Sequence, residues 1–265
     1  MPLELIIALL LILLGFVAGT FGALLGLGGS VLLVPLLALI GMPMGSAVGT
    51  GLLCVIATSS SAAAVYVRRG WVDVRLGILL ELSTILGAVT GAVLAAQVPD
   101  PWLKGLFGAF LLYAAAMLWA RPPAEDDDAG DAVPEYSVRR TPLGLGVSYV
   151  AGSVSGLLGI GGGPIQVPLM HLAMGVPLKA AAATSNFMMG VTAAAGAFLY
   201  FARGQVLVAL TVPLVLGVFA GAQAGAWLAR RVCGRWLRLL LILVLVALAA
   251  LMLSQAFGIP VSSER

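Results

Sequence analysis

The sequence predicts an all-α polytopic membrane protein, built as two inverted repeats of five hydrophobic segments with a short, broken second segment in each half. Three observations carry this expectation. Of the 265 residues, 61% are hydrophobic and only 9% charged, against about 25% charged in an ordinary soluble domain. From Leu5 to Val67 no Asp, Glu, Lys or Arg occurs, a run long enough for about three crossings at roughly 20 residues each. The chain also repeats itself. At an offset of 133, Gly19 to Leu37 aligns with Gly152 to Met170, with nine of nineteen positions identical.

The repeat extends well beyond its glycine-rich centre. One inserted residue brings Gly41 and Pro43 onto Gly175 and Pro177, Thr50 onto Thr184, Tyr66 onto Tyr200, and Gly87 and Gly91 onto Gly221 and Gly225. The chain therefore divides into a first repeat (1–120), a linker (121–140) and a second repeat (141–265).

Taken in order, the first half holds apolar segments at Leu3–Leu25, Val31–Ile40, Met44–Val67, Val74–Val98 and Trp102–Ala120. The first of these lacks a basic leader and reads as a retained helix rather than a signal peptide. The second half holds Pro142–Leu158, Pro164–Met174, Pro177–Phe201, Val206–Ala229 and Leu237–Phe257. Eight to ten transmembrane helices follow, because the second segment of each half spans only about half of the ~30 Å hydrocarbon layer at ~1.5 Å per residue.

Charge decides how those short segments are counted. With five crossings per half, Arg68, Arg69, Arg75, Arg121, Arg139, Arg140, Lys179, Arg230, Arg231, Arg235 and Arg238 share one face, eleven of the 14 basic residues. Lys104, Arg203 and Arg265 lie opposite. Four crossings would split the two main clusters. The positive-inside rule thus favours inversion, with both termini outside and the linker, which carries six acidic residues, in the cytoplasm as a solvated connector. The net charge of +3 reports this topology and not nucleic-acid binding.

The glycine clusters carry the chemistry. Gly26, Gly28, Gly29 and Ser30 in one half, and Gly159, Gly161, Gly162, Gly163 and Pro164 in the other, are expected to break a helix and bare backbone N–H groups. Ser30 can cap the helix that follows, and Pro164 suits a first turn. Two such helix N-termini meeting from opposite sides would hold an oxyanion without a cationic side chain. Gln166, Thr50, Thr184, Ser185 and Asn186 are further candidates to line that cavity. The alternative for small residues is close helix packing, the preferred reading for Gly87, Gly91, Gly221 and Gly225.

Glu81 is the carboxylate set well inside an apolar segment. It either couples transport to protons or snorkels to the interface and pairs with a loop Arg; Val215 stands at the matching position. Cys54 suits packing, while Cys233 and the single His171 form no disulfide framework or metal site. No nucleophile and base pair, Walker lysine or cofactor motif is present, so neither an enzyme nor an ATP-driven pump is expected.

The paired motifs GTFGALLGLGGSVLLVPLL and GSVSGLLGIGGGPIQVPLM resemble those of the sulfite exporter TauE/SafE family of membrane permeases, and the resemblance spans nearly the whole chain. It implies export of sulfite, sulfoacetate or related anions across a bacterial cytoplasmic membrane by a homodimer driven by an ion gradient. The copies differ at Ser30 against Gly163 and Val31 against Pro164, so the half-sites are expected to be inequivalent. A passive anion channel and a membrane enzyme acting on a lipid-linked substrate are the rival classes.

Overall fold

The computed structural model describes residues 2–25, 28–120, 136–228 and 234–257. Gly26, most of the linker, Cys233, Arg230, Arg231 and Arg265 lie outside the described residues. The described chain is helical: α1 (Pro2–Leu25), α2 (Ser30–Leu39), α3 (Met44–Arg68), α4 (Val74–Ala95), α5 (Asp100–Ala120), α6 (Thr141–Leu158), α7 (Gly163–Pro168), α8 (Leu178–Ala202), α9 (Val208–Leu228) and α10 (Gly234–Ala256). Eight of these helices are long and apolar enough to cross a membrane; α2 and α7 are the two that are not.

The two short second segments treat their matching prolines differently. Pro168 lacks an N–H and cannot continue the α ladder, and α7 passes into a π-helical turn over Leu169–Ala173. The repeat-equivalent Pro35 is accommodated within α2. Pro43 and Pro177 then cap the N-termini of α3 and α8 in nearly the same conformation, φ −53° with ψ 139° and 140°. The Asp73 carboxylate caps α4 by accepting from the Leu76 N–H at 3.0 Å.

Packing exchanges helices between the halves. α1 lies against α9 and α6 against α4, and glycine makes both contacts possible. A Cβ on Gly87 would collide with the Tyr149 carbonyl and one on Gly91 with that of Ser153; one on Gly221 would collide with the Phe16 carbonyl and one on Gly225 with that of Thr20. Each pair of contacts is the repeat image of the other, and small residues allow helix backbones to approach this closely. The packing reading of these four glycines holds.

The register of contacts gives the helix directions. Gly217, Gly221 and Gly225 meet Ile12, Phe16 and Thr20 in rising order, so α9 runs parallel to α1; Gly87 and Gly91 meet Tyr149 and Ser153, so α4 runs parallel to α6. By contrast Gly105 faces Ala256 and Gly108 faces Leu253, so α5 and α10 are antiparallel. Gly49 against Tyr200 and Gly190 against Ser59 make α3 and α8 antiparallel as well.

Charge segregates to the two ends of this bundle. At one end Lys179 Nζ sits 4.0 Å and Arg69 Cζ 4.8 Å from the Trp71 ring. There too Tyr136 Oη donates to Asp73 Oδ2 at 2.8 Å, and Arg139 N–H donates to the Met174 carbonyl at 3.1 Å. At the other end Lys104 Nζ donates to Gln255 Oε1 at 3.0 Å, and an Arg203 guanidinium N–H donates to the Ala92 carbonyl. Between the ends the outward faces are apolar, as Ile78, Leu82 and Leu243 show.

Candidate functional site

The two glycine breaks meet at the middle of the molecule. Gly28 and Gly161 both take φ in the left-handed region, +74° and +77°, where a Cβ is strained. A Cβ on Gly28 would stand 3.6 Å from Met189 Cε and 3.7 Å from Val55 Cγ2; one on Gly161 would stand 2.8 Å from Val55 Cγ1 and 3.6 Å from Met189 Cε. The breaks therefore flank a single pair of side chains, one from α3 and one from α8.

Around this junction the remaining glycines bring backbone close to backbone. Gly29 packs against Ala18 and Gly19 of α1, and the Gly159 carbonyl lies 3.5 Å from where Gly51 would carry a Cβ. Gly162, at φ +75°, is the N-cap of α7, with Pro164 in the first turn. A Cβ on Gly163 would collide with Met189 Sδ and lie 3.5 Å from Ser185 Oγ. Ser30 does not cap α2. Gly29 takes the N-cap position with no side-chain bond, which puts Ser30 inside the first turn, where its buried Oγ has no hydrogen-bond partner.

One polar network at this junction is built around Gln166 of the second half. Gln166 is fully buried, donates from Nε2 to Thr84 Oγ1 at 3.1 Å, and its Oε1 faces the Ser185 hydroxyl at 3.4 Å. The repeat equivalents of Gln166, Ser185 and Thr84 are Leu33, Gly51 and Val218, so the network has no counterpart in the other half. Ser155 of α6, whose Cβ lies 3.7 Å from the Cβ position of Gly162, also keeps a buried hydroxyl without a partner.

Three of the sequence candidates point elsewhere. Thr50 Oγ1 pairs with Thr211 Oγ1 at 3.1 Å. Thr184 Oγ1 accepts the Asp73 N–H at 3.0 Å, where α4 begins. Asn186 donates to the Ala182 carbonyl one turn back at 2.9 Å, while its own carbonyl accepts from Ser59. The backbone acceptor for its Nδ2 lowers the cost of placing an amide in the bundle.

Among the described residues Glu81 neither snorkels nor pairs with a loop arginine. Its carboxylate is buried between α4 and α8; Oε1 accepts from Thr192 Oγ1 at 2.8 Å and Oε2 has no hydrogen-bond partner. The matching Val215 shows that this carboxylate, like Gln166, belongs to one side of the molecule. Thr84, Thr192 and Ser155 are participants that the sequence reading passed over; each is a hydroxyl in an apolar segment, a weak signal because helix carbonyls satisfy hydroxyls just as well.

Cys54 is buried in α3 as a packing residue. The His171 ring donates from Nδ1 to the Val176 carbonyl at 2.9 Å, closing the turn after α7. Among the described residues no group of three His, Cys, Asp or Glu side chains could hold a metal ion.

Comparison with known proteins agrees with this architecture. The family model described as "Sulfite exporter TauE/SafE" matches residues 11–252. Among relatives, the probable membrane transporter protein YunE of Bacillus subtilis is 29% identical, the match covering 89% of this chain and 94% of the relative. The probable membrane transporter protein ORF9 of a Sinorhizobium species is 34% identical over 90% of this chain and 89% of its own length. YfcA of Escherichia coli K12, likewise called a probable membrane transporter protein, is 26% identical over 87% of this chain and 84% of its own. No solved structure matches significantly. The chain is a multi-pass membrane permease and belongs to the TauE/SafE sulfite exporter family.

Proposed function

We propose that this permease is a secondary transporter that exports small sulfur-containing anions, such as sulfite or sulfoacetate, by alternating access. The observation that carries the reading is the convergence of Gly28 and Gly161, the two helix breaks, on one central junction. The anion is held there by N–H groups at the breaks, by the polar groups Gln166, Ser185 and Thr84, and by the unpartnered Ser30 and Ser155 hydroxyls. Such a site attracts an anion through backbone dipoles and neutral donors, without a fixed cation that would hold it too tightly to release.

Glu81 is the coupling group in this reading. A buried carboxylate with one unpartnered oxygen is costly when ionised, so taking up or releasing a proton is its natural way to respond to an anion nearby. The antiparallel α3/α8 and α5/α10 pairs support the inverted arrangement, with the linker in the cytoplasm of a bacterial cell and both termini outside. A homodimer in the inner membrane completes the proposal, and scattering mass in detergent tests its stoichiometry.

Flux of labelled sulfite and sulfoacetate in proteoliposomes is the direct test. Export driven by a proton gradient is the expected result; conductance indifferent to that gradient would identify a passive channel instead. Wild-type flux in a folded Gly28→Leu/Gly161→Leu variant would sink the proposed site.

A further inference from the structure

We infer that Val55 and Met189, one from each repeat, form the barrier that a solute must displace to pass from one face of the molecule to the other. As a statement about an anion path it rests on the function proposed above; as a statement about a barrier it can be tested without any substrate.

The two residues are related by the same offset of 134 that carries Thr50 onto Thr184. Each is the twelfth residue of a helix of 25 residues, and so sits at the midpoint of an antiparallel pair. Both are sealed from solvent, at 0% and 1% exposure. The two breaks close on this same pair, since the Cβ positions of Gly28 and Gly161 each lie within 3.7 Å of both side chains. Polar groups stand on either side of it. Toward the linker end are Thr184 and Ser185, and toward the opposite end is Thr50 with its partner Thr211.

An apolar constriction between polar layers excludes water and blocks ions by dewetting, with no need for a charged gate. The two halves of this barrier differ in stiffness. Val55 is β-branched and locked at χ1, whereas Met189 has an unbranched thioether with three rotatable bonds and rests its sulfur on Gly163. Met189 is therefore the side chain that moves, and in the closed arrangement its sulfur fills the space that a Cβ on Gly163 would take.

The test is thiol labelling in sealed vesicles with a membrane-impermeant methanethiosulfonate reagent, on the full chain with Cys54→Ala and Cys233→Ala. Thr50→Cys reports the polar layer away from the linker. With the barrier intact, reagent added at the linker face reaches this cysteine slowly. Val55→Ala/Met189→Ala is expected to raise that rate at least about tenfold, because the dewetted contact is gone, and the volume-conserving Met189→Leu should leave it low. If the double variant does not fold, as judged by thermal melting, Met189→Ala alone is read in the same way. An unchanged rate in a folded alanine variant, or a Met189→Leu rate as high as the alanine rate, overturns the barrier. Wild-type vesicles that fail to move sulfite remove the anion reading, while the labelling still decides the barrier.

Discussion

At the scale of single residues, the informative groups are polar side chains placed where their repeat partners are apolar. Gln166 against Leu33 and Glu81 against Val215 were visible in the sequence as isolated polar letters in apolar segments; that Gln166 reaches Thr84 and Ser185 was not, because the three sit on different helices. Gln166→Leu removes a donor, and a hydrogen bond to a charged partner is worth ~1.5–3 kcal/mol. Anion affinity is therefore expected to fall by about tenfold or more with little loss of folding, as calorimetry of sulfite binding alongside a thermal melt would show. Glu81→Gln keeps the Thr192 contact but cannot titrate. Its sulfite flux should lose the dependence on pH seen in the wild type, and a retained pH profile would remove Glu81 from coupling.

Tyr136 gives a contrasting residue-scale expectation outside the membrane. Burial and the Asp73 carboxylate that accepts its proton both raise its hydroxyl above the ordinary value of 10. A group whose pKa is raised on folding contributes its stability below the unfolded value and loses it as pH climbs through the folded one. The Tyr136–Asp73 contact is thus constant across neutral pH and weakens in strong alkali. Tyr136→Phe should lower the melting temperature by the same amount at pH 6 and pH 8, measured in the same detergent.

At the scale of elements, glycine plays two distinct parts that the sequence alone could list but not separate with certainty. Gly87, Gly91, Gly221 and Gly225 are contact glycines, each facing a backbone carbonyl of the neighbouring helix. Gly28 and Gly161 are conformational glycines at left-handed φ. Spacing favoured packing for the first set and clustering favoured a break for the second, and both readings follow from geometry once neighbours are known. Gly87→Leu or Gly221→Leu would force α4 from α6 or α1 from α9; overpacking of this kind costs ~1–3 kcal/mol or more. A clear fall in melting temperature is expected for both, and an unchanged one would contradict the helix contacts. Ser30 illustrates the limit of local rules. A serine beside a glycine reads as a cap, but the left-handed turn at Gly28 moves the helix start to Gly29.

At the scale of the whole molecule, the distribution of basic residues sorted the loops before any helix was placed. Arg69, Arg139 and Lys179 come together at one end, with Lys104 and Arg203 at the other. In the orientation proposed here, cysteines introduced at Lys104 and Arg203 should label from outside intact cells, and one at Lys179 only after permeabilisation. Labelling of all three from one side would break the five-crossing count.

Membrane residence, duplication, a range of eight to ten spanning helices and the location of the breaks were determined by the sequence itself. Each depends on composition or on spacing along the chain, which lipid and the helix period read directly. Only the tertiary structure decided that α1 pairs with α9 and α6 with α4, that Gln166 meets Thr84 and Ser185, and that both breaks close on Val55 and Met189. Those contacts join residues more than a hundred positions apart or on separate helices. Their partners are chosen by which carbonyl fits against which glycine, a matter of shape that leaves no periodic trace in one sequence.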